Sequence, residues 1–228
     1  MTEPARIRLQ RSSTADQVVE LLRSRIVSAQ FAPGTQLREV ELSREIGVSR
    51  PTLREALRSL GHDGLVRHEP HRGTYVAALT PDEVADVHQV RRVLEGSAAH
   101  ACGAACPAAL DAVAAAAARL DALADGSGER ESEVIAADLA LHRAIVALLA
   151  SPRLNTLYAS VTVALEPCLV TVARGARAVV TDPRSRAEHS AIAAAIAARD
   201  GDRAQRLVVD HIDANERLLL SLLGAQNS

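Results

Sequence analysis

The chain contains no lysine and no tryptophan, and Phe31, Tyr75 and Tyr158 are its whole set of aromatic side chains. Without lysine there is neither a P-loop lysine nor a Schiff-base nucleophile. All 26 basic residues are arginine, so every positive charge is a planar fork suited to phosphate and guanine edges. So few rings argue against a β-sandwich or barrel, which draws on aromatic and β-branched side chains. They also leave no stacking platform for single-stranded nucleic acid. Cysteine is scarce: Cys102, Cys106 and Cys168 form no CxxC pairs and read as packed thiols in a reducing cytosol. The charged start MTEPARIRLQR lacks the apolar stretch of a signal peptide, and no apolar run approaches the ~18 residues of a membrane span. A cytoplasmic location without membrane contact is the expectation.

What is present points to helices. Hydrophobic residues make up 48% of the 228 and charged ones 24%, ordinary values for a globular chain, and the long stretches are rich in Ala, Leu, Arg and Glu. The net charge of −2 hides an asymmetry: residues 1–77 hold 12 Arg against 9 acids, whereas 78–228 hold 14 Arg against 19. A basic module joined to an acidic one suggests an anionic partner for the first only.

The first module, residues 10–77, reads as three short helices and a hairpin. Thr14 with Gln17 suggests a capping box, and Val18, Val19, Leu22, Ile26 and Val27 recur at helical spacing. A second helix fits Glu39–Ile46 with Gly47 as its stop, and Ser49 caps a third with Pro51 in its first turn. LVRHE and TYVAA are strand candidates around the turn Pro70-His71-Arg72-Gly73. That is a winged helix-turn-helix layout. After a joint at AALTPDE, residues 81–223 carry only helical patterns, over 81–105, 107–124, 130–150, 152–173, 183–199 and 202–223. Breaks fall at Pro107, Gly126-Ser127-Gly128, Ser151-Pro152, Thr181-Asp182-Pro183 and Gly201-Asp202. The expected fold is mostly α, with the winged helix followed by an antiparallel bundle of about six helices.

In the third helix Arg50, Arg54 and Arg58 are spaced by four and share one side, while Leu53, Ala56, Leu57 and Leu60 share another. Ser49, Arg50 and Thr52 put hydroxyl, guanidinium and backbone N–H groups at the positive end of that helix. A recognition helix needs this where its first residues enter a major groove. A solvated arginine stripe is the plain alternative. In the bundle, Asp138 and His142 lie four apart on one helix, and His189 and His211 each occupy another. One Asp and three His from three helices could converge on a divalent cation. An Asp–His ion pair with two ordinary core histidines has the same spacing.

The run ELSREIGVSRPTLREALRSLGHDGLVRHEPHRGTYV resembles the winged helix of the GntR family of bacterial transcription regulators. The resemblance implies operator contacts from Arg50 and Arg54, assisted by Arg38, Ser49, Thr52 and the wing tip His71-Arg72-Gly73. The later residues resemble the FCD domain of the FadR subfamily, through Arg91-Arg92-Val93-Leu94-Glu95, Asp138-x-x-x-His142-Arg143, Glu188-His189-x-x-Ile192 and His211. In the metal-binding members, those Asp and His positions hold a divalent cation. The resemblance therefore implies Asp138, His142, His189 and His211 as ligands, to Zn first, with Ni or Mn as alternatives. It also implies a homodimer on a pseudo-palindromic double-stranded DNA operator. Arg91 could clamp a small organic-acid effector, or could pair on the surface with Glu95. The expected function is a ligand-responsive regulator, with repression as its expected sign, and not an enzyme. The rivals are a metal-dependent enzyme or a direct metal sensor on the same centre. The first lacks an evident general base and any H-E-x-x-H pairing.

Overall fold

The computed structural model describes residues 13–124, 131–176 and 183–226. The expected breaks at Gly126-Ser127-Gly128 and Thr181-Asp182 lie outside them. The fold is mostly α, a winged helix-turn-helix followed by a helical bundle.

In the first unit, α1 (Thr14–Val27), α2 (Glu39–Ile46) and α3 (Arg50–His62) precede the wing strands β2 (Val66–Glu69) and β3 (Gly73–Val76). The capping box of α1 falls one residue earlier than the spacing suggests. Ser13 is the N-cap, its hydroxyl accepting from Asp16 N at 3.1 Å while the Asp16 carboxylate accepts from Ser13 N at 2.7 Å. Gly47 ends α2 at φ 78°, a left-handed conformation that glycine adopts without strain. The sheet has a further strand, β1 (Gln36–Leu37), which pairs with β3 to give the order β1-β3-β2. Two residues are too few to show a period in the sequence. Leu22, Ile26, Leu53, Leu60 and Leu65 are fully buried in this core. Each such side chain contributes ~1.5–3 kcal/mol relative to exposure.

Thr80 caps α4 (Pro81–His100) in a complete box with Glu83, and Glu83 also takes Arg67 of the wing at 2.6 Å. A 3₁₀ turn at Ala101–Ala104 leads to α5 (Pro107–Ala124), α6 (Glu131–Ala147), α7 (Pro152–Thr162), α8 (Leu165–Ala176), α9 (Pro183–Ala197) and α10 (Gly201–Gln226). The expected single helix over 152–173 is therefore two. Pro167 has no N–H for the Val163 carbonyl, and its ring crowds that group, so the helix cannot run through. The alanine-rich α5 packs by one face, burying Val113 and Leu120, while Ala114, Ala115 and Ala118 stay exposed. Cys102 and Cys168 are buried as expected, but Cys106 is exposed in the connection before α5. Ile135, Leu141, Ile145, Ile192, Ile196, Val208 and Ile212 form the centre of the bundle core.

Gly201 opens α10 directly beneath the end of α4, where an added Cβ would lie 2.2 Å from the His100 carbonyl oxygen. Neither backbone can yield without separating α4 from α10. Gly201→Ala is expected to lower the unfolding free energy by at least ~1–3 kcal/mol in urea titrations. Gly224→Ala, with no atom within 4 Å of its added Cβ, is expected to leave it unchanged or slightly raised.

Candidate functional site

Two sets of chemically equipped residues stand apart from the structural core. The first lies on α3 and the wing. Ser49 caps α3, with its hydroxyl 3.3 Å from Thr52 N and 2.8 Å from Thr52 Oγ1. Arg50, Arg54 and Arg58 are exposed along one side, as their spacing suggests. Arg54 is not idle, since its Nε lies 2.7 Å from Glu39 of α2. Arg38 precedes α2 as its N-cap residue and pairs with Glu41 at 3.2 Å. At the wing tip His71 is exposed at φ 63°, Gly73 has φ 104°, and Arg72 pairs with Glu69 at 2.7 Å. These ion pairs are half-exposed or more, so each contributes little and is readily exchanged for another anion.

The second set is buried where α4, α6, α9 and α10 meet. Asp138, His142, His189 and His211 are all buried, and one donor atom from each lies within 4.8 Å of the others. His189 Nε2 is 3.0 Å from Asp138 Oδ1 and 3.0 Å from His211 Nε2. His142 Nε2 is 3.8 Å from Asp138 Oδ2 and has no hydrogen-bond partner despite full burial. Around one ion with bonds of ~2.0–2.2 Å, opposite ligands lie ~4.2 Å apart, so the cluster needs little contraction. An orphaned imidazole nitrogen at its centre is what a missing cation leaves. The residues present fit a divalent metal.

The outer nitrogens are fixed from behind. His142 Nδ1 lies 2.6 Å from Glu95, and His211 Nδ1 lies 2.9 Å from Glu188. A carboxylate on Nδ1 keeps the proton there and turns the Nε2 lone pair inward. Burial pushes His211 well below the usual imidazole range, which keeps it neutral. Burial alone would raise Asp138, but the hydrogen bond from His189 and the neighbouring rings hold its carboxyl well below the usual range. Asn215 Nδ2 donates to His211 Nε2 at 2.9 Å, a bond that any metal on that nitrogen would replace.

Arg91 reaches Glu95 at 2.7 Å, but this is no surface salt bridge, because Arg91 is 3% exposed and Glu95 not at all. Tyr158 donates to the same Glu95 oxygen at 2.7 Å. Burial opposes the charge on Glu95, yet Arg91 and His142 bring its pKa down to about 2. Arg91 Nη2 is left buried without a partner. It borders a cavity with His88, Asp138, Ser185 and Asn215, closed by leucines of α8 and α10. Sequence reasoning missed Glu95 as the support of His142, Glu188 as that of His211, and Tyr158, His88 and Asn215 altogether. Only the Arg91-to-Glu95 spacing carried a signal, and it said nothing of burial.

Among families of known proteins, residues 14–76 match the bacterial regulatory proteins of the gntR family, and residues 86–214 match the FCD domain. The chain belongs to the GntR family and carries an FCD domain. Among curated relatives, an HTH-type transcriptional regulator of Agrobacterium vitis is 40% identical over 78 residues, 34% of this chain and 46% of that protein. The gluconate operon transcriptional repressor of Bacillus licheniformis is 40% identical over 87 residues, 38% of this chain and 35% of that protein. The matched stretches thus cover less than half of these relatives. A crystal structure solved as a candidate GntR transcriptional regulator of Rhodococcus sp. RHA1 superposes with a TM-score of 0.78 at 28% identity. It covers 92% of this GntR-family chain and 99% of its own. The matched domains and relatives are those of transcription regulators, not enzymes. Among the described residues, no helix is long and apolar enough to cross a membrane.

His88 supplies a test of this buried region. Burial, and Arg91 one turn away, push its pKa down to about 4. An unfolded ring titrates near ~6.5, so the unfolded chain takes the proton first. The folded state is therefore penalised as pH falls from ~6.5, and the penalty is complete near the folded pKa, at no more than ~3 kcal/mol. His88→Phe removes that part of the slope. Urea unfolding of both proteins at several pH values through this window is expected to give a flatter profile for the variant.

Proposed function

We propose that the chain is a DNA-binding transcription regulator whose helical domain senses a small carboxylate at a metal-bearing site. One observation carries the reading: a buried Asp/His cluster with an unpartnered Arg91 beside it, on the same chain as an arginine-faced winged helix. The division is into a DNA-binding domain at 10–77 and an effector domain at 81–223, of the metal-binding FadR-subfamily type. Asp138, His142, His189 and His211 hold the cation, with Zn as the first candidate and Ni or Mn as alternatives. When bound, the metal supplies a Lewis-acid anchor for a ligand oxygen. Arg91 neutralises the ligand's carboxylate from the other side. The protein works in the cytoplasm as a homodimer on a pseudo-palindromic operator, because one recognition helix reads too little sequence alone. Its sign is repression, released by the effector.

On DNA, Arg50 and Arg54 read bases from the first turns of α3, while Ser49 and Thr52 engage the backbone. Arg38 and the wing tip His71, Arg72 and Gly73 add flanking contacts. Arg54 exchanges Glu39 for guanine acceptors. Arg54→Ala is expected to weaken operator binding by ~1–3 kcal/mol per half-site with an unchanged melting temperature. Gel shifts at fixed salt, against a scrambled duplex, measure the loss; an unaltered affinity would remove α3 from the reading role.

Metal removal is expected to lower the melting temperature and abolish the response to carboxylates. Operator binding should survive, since its contacts lie in the other domain. His189→Ala should behave as the stripped protein does. Elemental analysis of protein purified without chelator, followed by titration with Zn, checks the first step. Protein that takes up no metal at micromolar concentration contradicts the assignment.

A further inference from the structure

The cavity beside the four-donor cluster has walls of definite hydrogen-bonding character. Arg91 supplies Nη2, buried and without a partner, from a side chain already fixed through Nε to Glu95. One turn earlier on α4, His88 lines the same cavity and is 2% exposed. Its Nδ1 lies 2.7 Å from the Val84 carbonyl oxygen, which can only accept, so Nδ1 carries the proton. The other nitrogen, Nε2, therefore presents a lone pair, and among the described residues it has no hydrogen-bond partner. With Arg91 adjacent, a second proton on this ring is opposed. The cavity thus offers a cationic fork and, one helical turn away, a neutral acceptor that cannot donate.

We propose that this cavity takes a short 2-hydroxycarboxylate, its carboxylate on Arg91 and its hydroxyl donating to His88 Nε2. The proposal rests on the carboxylate-effector reading above and adds the ligand class and its selecting residue. A keto oxygen has no proton to give and would face the Nε2 lone pair. An ammonium could donate, but it would lie beside the Arg91 guanidinium and, in the loaded protein, beside the metal. A bare methylene would leave Nε2 unsatisfied in a buried site. Length is limited as well. The cavity has a volume of 20 Å³, about one water by the usual measure. A two- or three-carbon acid can be admitted by rotation of Leu165, Leu169 and Leu219, whereas a longer chain would force α8 and α10 apart. Ser185 and Asn215 line the remaining wall, and a metal on His211 Nε2 would displace the Asn215 amide that now donates there.

Four acids of three carbons differ only at C2, which makes the test clean. Calorimetric titration of the full chain loaded with Zn uses lactate, pyruvate, alanine and propionate. Lactate is expected to bind at least ~10-fold more tightly than the other three, the loss that an unmet buried acceptor produces. His88→Phe should bring lactate down to the level of propionate with unchanged Zn content. His88→Gln, whose amide oxygen restores an acceptor, should recover part of the preference. Equal binding of the four acids, preference for pyruvate or alanine, or a lactate preference that survives in His88→Phe each overturns the proposal. Binding of citrate but of none of the four overturns it too, while leaving the carboxylate reading intact. If no carboxylate binds the loaded protein, that reading falls and this one with it.

Discussion

The Glu95 carboxylate, wholly buried, is met by Arg91 through Oε1, by Tyr158 through the same oxygen, and by His142 Nδ1 through Oε2. Taking a carboxylate out of water costs several kcal/mol unless charge and hydrogen bonds replace the lost solvent. Here the replacements come from α4 itself, from α6 and from α7, so the requirement to satisfy one anion fixes three helices against one another. It also fixes the tautomer of His142, whose Nε2 must then face Asp138. The arrangement of the four-donor centre follows from this one anion on the α6 side. Glu188 plays the same part for His211 on the α10 side, and is itself held by Arg184 at 3.0 Å.

The two halves of the chain use the same cation in opposite ways. On the winged helix, Arg38, Arg54 and Arg72 are exposed and lie beside carboxylates that water screens, so their pairings are weak and interchangeable. In the bundle, Arg91 is enclosed; burial opposes its charge, but Glu95 raises its hold on the proton well above the usual range. A surface arginine of the first kind can trade partners at almost no cost. A buried one of the second kind cannot move without stranding Glu95, and its free Nη2 is a fixed feature of the cavity wall.

Much of this organisation was legible in the sequence, and the failures have physical causes. The helices of the winged unit, the glycine stop at Gly47 and the caps at Ser49 and Thr80 follow from local rules that depend on a few neighbours. The Asp138, His142, His189 and His211 set was visible as residue types on helical faces, but spacing alone equally allowed an ion pair and two core histidines. Convergence is a tertiary fact. Glu95 was legible as a partner for Arg91 because both lie on one helix, and illegible as the support of His142, 47 residues away. Tyr158, with 63 residues between it and Glu95, left no trace at all. Pro167 was present to be read, and its effect on α7 was overlooked because the apolar pattern continues across the break.

That break matters for how the two halves touch. Pro167 denies Val163 its helical partner, so the chain turns at Val163–Ala164, and Val163 packs against the winged-helix core. On the other side of the contact, Gly64 has φ 79°, and a Cβ there would come 3.0 Å from Val163 Cγ1. Glycine at 64 is thus required twice, by its backbone conformation and by the close approach of this corner. Within the same corner, Glu166 is half-buried; burial raises its pKa, against the pull of Arg143 on α6 and Arg23 on α1. One turn before the corner, Thr162 donates to the carbonyl of Tyr158, whose hydroxyl ends on Glu95. An unbroken helix over 152–173 would leave no turn at Val163 to meet Gly64. The proline that breaks the helix is therefore what brings the supports of the buried centre into contact with the winged helix, independently of the joint at 77–81.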